Sequence, residues 1–271
     1  MRCGAIIQAL MGEFLIQNTS LNIWKCRIIV LSLYYVKPIK HRPMKLNISS
    51  LVVEVTRRCN MSCEHCLRGD AQNKNIDFKH IDSLLSQCES IGTVTFTGGE
   101  PSMNVPAIDY FLKKAKELSI PIDGFYIATN GLKITEEFIL VCLRLFSYSG
   151  CKELCSVHVS NDTFHANEGN YNTELLDGLS FFGRKFSEEG YDYNGYRTLI
   201  GEGRAKDNFG DTRKIYITEI KTKDSLNETD VVLNCNGQII NGCDWSYASQ
   251  KKHMLCGVDK LEAYYDSLPV E

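Results

Sequence analysis

The chain has 271 residues, 44% hydrophobic and 23% charged, with a formal net charge of -3. That is enough chain to bury one sizeable core and a small appended lobe, and it carries no overall basic field of the kind that drives phosphate-backbone binding, so nucleic acid is not an expected partner. Twelve cysteines without the spacing of an extracellular disulfide framework point to thiols kept reduced in a cytoplasm, and to a metal or cluster site where they gather.

Residues 1–43 read as an N-terminal extension of uncertain role, either dispensable or a covering helix or strand. The nine-residue run 28–36 (IIVLSLYYV) is apolar, but that length cannot cross a bilayer and no cleavage site follows, so no membrane anchor is expected. From residue 44 a compact domain begins. Residues 51–55 (LVVEV) form a short β-branched run, read as the first strand. A helix is predicted over 78–90, where Ile81, Leu84, Leu85 and Cys88 recur at three- and four-residue spacings. Strand 94–97, helix 105–118, strand 122–128, helix 135–146 and strand 155–160 follow, then a helix over 175–189 and a strand over 196–200. This alternation predicts an α/β fold with a parallel sheet wrapped by helices over residues 44–210. Residues 211–271 read as a small β-rich lobe. Within it, Asn236-Gly237 between two apolar runs signals a hairpin, and a helix is predicted over 258–268.

The chemistry concentrates where the first strand ends. Cys59-Asn60-Met61-Ser62-Cys63-Glu64-His65-Cys66 places three thiols within eight residues, close enough to wrap one soft-metal centre. Structural zinc sites pair C-x2-4-C units to reach four ligands, and no obvious second pair adjoins the trio. Three thiolates on a cubane leave one iron open for a small-molecule ligand, which suggests chemistry rather than scaffolding. Structural zinc and unpaired core cysteines are the alternatives. Two further turns end successive strands: Gly98-Gly99-Glu100-Pro101 and Thr129-Asn130-Gly131. Taken singly, each is an ordinary strand-ending turn.

The C-x3-C-x2-C trio followed by these two turns, in this order, resembles the radical S-adenosylmethionine (SAM) superfamily over about residues 51–205. The resemblance implies a partial (βα)6 barrel and a [4Fe-4S] cluster on Cys59, Cys63 and Cys66. It implies that Gly98, Gly99, Glu100 and Pro101 meet the methionine amino group of SAM, and that Thr129, Asn130 and Ser160 are polar contacts to it. It also implies that His65, with Ile200 beside Leu199, lies against adenine. By that resemblance an external one-electron donor of flavodoxin or ferredoxin type reduces the cluster, SAM is cleaved to methionine and a 5′-deoxyadenosyl radical, and the radical abstracts hydrogen from a substrate. Cys235, Cys243 and Cys256, together with Gly203-Arg204-Ala205, resemble the SPASM and twitch extensions that carry auxiliary clusters, with Cys151 or Cys155 as a further ligand. The pattern departs from them in leaving five residues between Gly237 and Cys243. That likeness points first to a peptide or protein substrate, and second to a small molecule or nucleoside. From a different class, the rival is a non-catalytic iron–sulfur or zinc-binding module that senses redox state.

Overall fold

A computed structural model describes residues 45–160, 164–165, 173–185, 199–210, 212–215 and 219–270. The N-terminal extension and most of the expected strand 196–200 lie outside the described residues.

The first strand, β1 (Leu46–Thr56), alternates buried and exposed positions over its first half and is buried throughout its second, as befits a strand that enters the middle of a mostly parallel sheet. Helix α1 (Phe78–Ser86) follows, N-capped by the Asp77 side chain and buried through Ile81, Leu84 and Leu85. It is shorter than the periodicity suggested. Gln87 caps it, and Cys88 begins β2 (Cys88–Gly98), the strand that pairs in parallel with β1. The Cys88 thiol instead donates to Leu84 O at 3.3 Å, across that boundary.

Next come helix α2 (Val105–Glu117), β3 (Ile122–Thr129), helix α3 (Glu136–Tyr148) and β4 (Cys155–Ser160). Thr135 N-caps α3, its hydroxyl accepting from Phe138 N at 3.3 Å. The helix predicted over 175–189 does not form where it is described. Turns occupy 174–178, and β5 (Phe182–Lys185) pairs in parallel with β4 instead. The helical spacing of Leu175, Leu176 and Leu179 is overridden by pairing with β4. A Cβ on Gly183 would meet the His158 ring at 2.5 Å, so only glycine lets this strand lie so close.

The short helices α4 (Gly203–Asn208) and α5 (Lys223–Asn227) precede β6 (Asp230–Leu233), β7 (Gln238–Asn241), β8 (Met254–Gly257) and the closing helix α6 (Leu261–Ser267). The hairpin expected at Asn236-Gly237 joins β6 to β7, with Gly237 at a positive φ of 72°. These C-terminal strands continue the same sheet: β6 runs parallel to β1 on the side away from β2, giving the order β5-β4-β3-β2-β1-β6-β7-β8. The result is an α/β fold around one mostly parallel eight-stranded sheet, whose last strands, β7 and β8, pair antiparallel. Leu51, Val53, Val55, Phe96, Phe111, Phe125 and Phe138 build the main core on one face. Val52, Val232, Ile240 and Trp245 form a smaller cluster on the other, as the two-residue period of a strand dictates.

Candidate cluster and cofactor site

Ligands of parallel α/β sheets bind beyond the carboxyl ends of the strands, and the cysteine loop lies at that end of β1. A register shift between Glu54 and Thr56 loosens the ladder just before the loop. Cys59 and Cys66 are half-buried, Cys63 is buried, and none of the three is in a disulfide. The loop is fixed by its backbone. Cys66 N donates to Cys63 O at 3.2 Å, and Gly69 N donates to Cys66 O at 3.3 Å. From α4, Arg204 N donates to Cys66 O at 2.9 Å and Arg204 Nε to Cys63 O at 2.9 Å, while Asn208 Nδ2 donates to Glu64 O at 2.9 Å. Gly203 makes this clamp feasible: at φ +52° a Cβ there would meet Gly69 N at 2.4 Å and Leu67 O at 2.5 Å. Burial pushes the Cys59 thiol above its ordinary value, and backbone N–H bonds from Met61 and Asn60 act against that.

The Gly98-Gly99-Glu100-Pro101 turn ties β2 to the loop. Gly99 N donates to Thr56 O at 2.9 Å and Glu100 N to Arg58 O at 2.8 Å. The two glycines are required by that crossing, because a Cβ on Gly98 would stand 1.9 Å from Thr56 O and one on Gly99 2.2 Å from Arg58 O. The Glu100 carboxylate, buried completely, accepts from Thr129 Oγ1 at 2.7 Å, Asn130 N at 2.8 Å and Ser102 N at 3.0 Å. Burial raises its pKa, and these donors oppose the rise. Asn130 then closes the circuit, its Nδ2 donating to Asn60 Oδ1 at 2.8 Å and lying 4.0 Å from Cys59 Sγ. Cys59 and Asn60 at the start of the loop, the glycine turn and the Thr129-Asn130 turn thus meet in one hydrogen-bonded cluster.

Of the remaining positions, Ser160 ends β4 and is half-buried. Ile200 is buried next to Leu199 and makes an isolated parallel bridge to Arg213. His65 is stacked on Phe164, with centroids 4.5 Å apart, and meets His165 edge-on at 4.8 Å. One face of its ring is therefore already covered by protein.

Sequence reasoning missed a buried polar network behind the loop. Glu54, 1% exposed, accepts from Arg57 Nε at 2.7 Å, from Gln250 Nε2 at 2.6 Å and from Cys235 N at 3.1 Å. Arg57 also donates to Gln250 Oε1 at 2.5 Å and Gln72 Oε1 at 3.0 Å. The available signal was Glu54 itself, a lone charge within an otherwise apolar strand, since buried charges need partners.

The C-terminal cysteines are dispersed. Cys235 joins the main core, and its thiol donates to Glu54 O at 3.0 Å. Cys256 packs against that same core from β8, whereas Cys243 packs against the cluster on the opposite face of the sheet. Cys155 begins β4, the end of the strand away from Ser160, and Cys151 precedes it, with its thiol donating to Glu153 Oε2 at 3.2 Å. Among the described residues no three His, Cys, Asp or Glu side chains stand as a ready single-ion site.

Whether a cluster suits this loop is a question about its donors. Three thiols on one backbone-fixed loop are the soft donor set that iron–sulfur centres use. Tyr247, whose backbone N donates to Arg68 O two residues past Cys66, has a buried hydroxyl with no hydrogen-bond partner among the described residues, as expected where a group to be bound is polar. The donor set fits.

Residues 53–167 match the model of the radical SAM superfamily, so that stretch is a radical SAM domain. An uncharacterized protein of Methanocaldococcus jannaschii is 41% identical over 92 residues, which is 32% of this chain and 32% of that protein. A GTP 3′,8-cyclase of Clostridium acetobutylicum is 31% identical over 147 residues, 49% of this chain and 42% of the cyclase. The Fe-coproporphyrin III synthase of Methanosarcina barkeri is 29% identical over 136 residues, 46% of this chain and 32% of the synthase. The matches thus span less than half the length of these curated relatives. The fold is similar to the crystal structure of BtrN in complex with AdoMet and 2-DOIA, at TM-score 0.51 and 17% identity, covering 82% of this chain and 83% of that one. No helix among the described residues is long and apolar enough to cross a membrane.

Proposed function

We propose that the chain binds a [4Fe-4S] cluster through Cys59, Cys63 and Cys66 and cleaves SAM reductively to start a radical reaction on a substrate. The observation that carries this reading is the hydrogen-bonded circuit from Asn60 through Asn130 to Glu100, which joins the cysteine loop to the two strand ends where the resemblance expects SAM. When bound, the cluster supplies one electron to the sulfonium of SAM, whose carbon–sulfur bond then breaks to give methionine and a 5′-deoxyadenosyl radical. The chain's own residues orient and enclose. Gly98, Gly99, Glu100 and Pro101 present carbonyl oxygens and a carboxylate to the cationic amine. Thr129, Asn130 and Ser160 offer polar contacts, and Ile200 offers an apolar wall to adenine, with the His65 ring held against Phe164 nearby. The electron comes from an external donor of flavodoxin or ferredoxin type.

The expected peptide or protein substrate rested on a likeness to auxiliary-cluster lobes, and the dispersal of Cys235, Cys243 and Cys256 over both sheet faces weakens its support. A small-molecule substrate is favoured instead by the names of the relatives, which include GTP 3′,8-cyclases and an Fe-coproporphyrin III synthase. One cluster per chain follows, about four irons rather than about eight.

The test is anaerobic reconstitution with iron and sulfide, reduction with dithionite, and assay of 5′-deoxyadenosine after addition of SAM. Product from wild type and none from Cys63→Ala supports the reading. Cluster loading without SAM binding or cleavage would leave the redox-sensing module in its place.

A further inference from the structure

The three segments that meet at the site also share a surface on their outer side. Arg58, the residue before Cys59, Ser102 and Met103, just past Glu100, and Lys133, shortly after Asn130, line a cleft of about 480 Å³. Helices α2 and α3 supply its other walls, Asp109 and Arg144 among them, and both helices pack on the main-core face of the sheet. Val157 and Val159 belong to that core, so the two-residue period of β4 turns Ser160 to the opposite face. The cleft and the expected SAM contact at Ser160 therefore lie on different sides of the sheet.

Its charge is unbalanced. The Asp109 carboxylate is taken by Lys113 at 2.6 Å and by Arg144 at 2.7 Å. Glu136 and Glu137 stand in the first turn of α3, where the positive end of the helix offsets a carboxylate. Arg58 and Lys133 have no such answer, for among the described residues neither side chain makes an ion pair or a hydrogen bond. Two uncompensated cations thus rim this cleft in a chain whose formal net charge is -3. A radical step needs a dry, closed site, so an electron delivered by another protein has to enter from a different side. Consecutive Cα atoms are about 3.8 Å apart, which puts a partner seated against Arg58 one residue from a ligating cysteine.

We propose that this cleft is where the external electron donor docks, and that the donor is a small redox protein whose acidic surface meets Arg58 and Lys133. The proposal rests on Cys59, Cys63 and Cys66 holding the cluster. Opposite charge across such a contact acts mainly on the association rate, by about tenfold or more at low salt, and salt screens the effect.

The experiment uses the full chain, reconstituted anaerobically, and follows the loss of cluster absorbance after mixing with one of two reductants. One is photoreduced flavodoxin, an acidic protein; the other is photoreduced deazaflavin, a small uncharged molecule. Wild type is compared with Lys133→Glu, at an exposed position, and with the double variant that adds Arg58→Glu. The expected result is equal iron, equal rates with deazaflavin, and a flavodoxin association rate about tenfold lower in Lys133→Glu and lower still in the double variant. The fall of that rate with salt should also flatten. If the double variant loads less iron, Lys133→Glu alone decides. An unchanged flavodoxin rate overturns the proposal, as does wild type that deazaflavin reduces and flavodoxin does not; both leave the cluster reading intact. Rates lowered equally with deazaflavin assign the two side chains to the cluster's surroundings and also overturn it. Failure of the wild type to load any cluster overturns the ligand assignment, and the proposal with it.

Discussion

Cys59, Cys63 and Cys66 on the loop and Cys235, Cys243 and Cys256 near the last strands are two sets of three thiols in one chain, yet their surroundings commit them to different uses. The C-terminal thiols are placed by packing. Burial pushes Cys243 up to about 12 and Cys256 up to about 11, and pushes Cys235 higher still while its proton bonds to Glu54 O. A thiol that must ionise to bind metal is poorly served by such sites. The loop thiols are placed by backbone, through Gly203, Arg204 and Asn208, so their side chains need no apolar packing to be positioned. Cys59 also feels burial, but its own loop turns N–H groups toward the sulfur. The lesson is that a ligand set is defined by what holds the chain around it.

The largest effect should come from the loop set. Cys63→Ala is expected to abolish stable cluster loading, taking iron from about four per chain toward zero and removing the visible charge-transfer absorption. Retention of a full cluster would erase the distinction between the two sets. The next effect concerns the network that joins the regions. Arg57→Ala leaves the Glu54 carboxylate buried without its ion pair, which should cost about 3–5 kcal/mol in chemical denaturation. A loss below about 1 kcal/mol, the range of exposed pairs, would mean that Gln250 and the Cys235 amide suffice.

What the sequence made legible follows from locality. The trio and the two strand-ending turns are contiguous motifs with fixed spacing, so their residues could be named before their meeting was seen. The Glu54–Arg57–Gln250 network could not, because Gln250 lies 193 residues from Arg57, and nothing in the sequence around Gln250 sets it apart. Strand β5 was lost for a related reason: leucine spacing favours a helix locally, while pairing to β4 over Gly183 decides the outcome. The clamp role of Gly203 and Arg204 was equally hidden, since their partners are backbone atoms of a distant loop.

That clamp gives the next prediction. Gly203→Ala forces a Cβ against Gly69 N and Leu67 O at a positive φ, a strain of about 1–3 kcal/mol. It should act on the loop rather than on the sheet. Iron occupancy is expected to fall severalfold while far-ultraviolet circular dichroism stays unchanged. Full occupancy would show that the loop is held well enough by Arg204 alone.

The smallest effect belongs to the C-terminal set, and it separates packing from ligation most sharply. Cys243 is half-buried against Val52, Val232, Ile240 and Trp245, with its thiol 3.6 Å from Asp244 Oδ1. Replacing it by alanine removes one sulfur from a small cluster, a loss of about 1 kcal/mol in denaturation, with iron per chain unchanged. Cys256→Ala should behave in the same way from the other face. If both variants lose about half their iron, the two faces hold ligands of a second centre despite their separation, and the placement of these thiols would have to change on loading. If iron holds in both while stability falls slightly, the three C-terminal cysteines are packing residues. The resemblance to auxiliary-cluster extensions is then one of strand pattern alone.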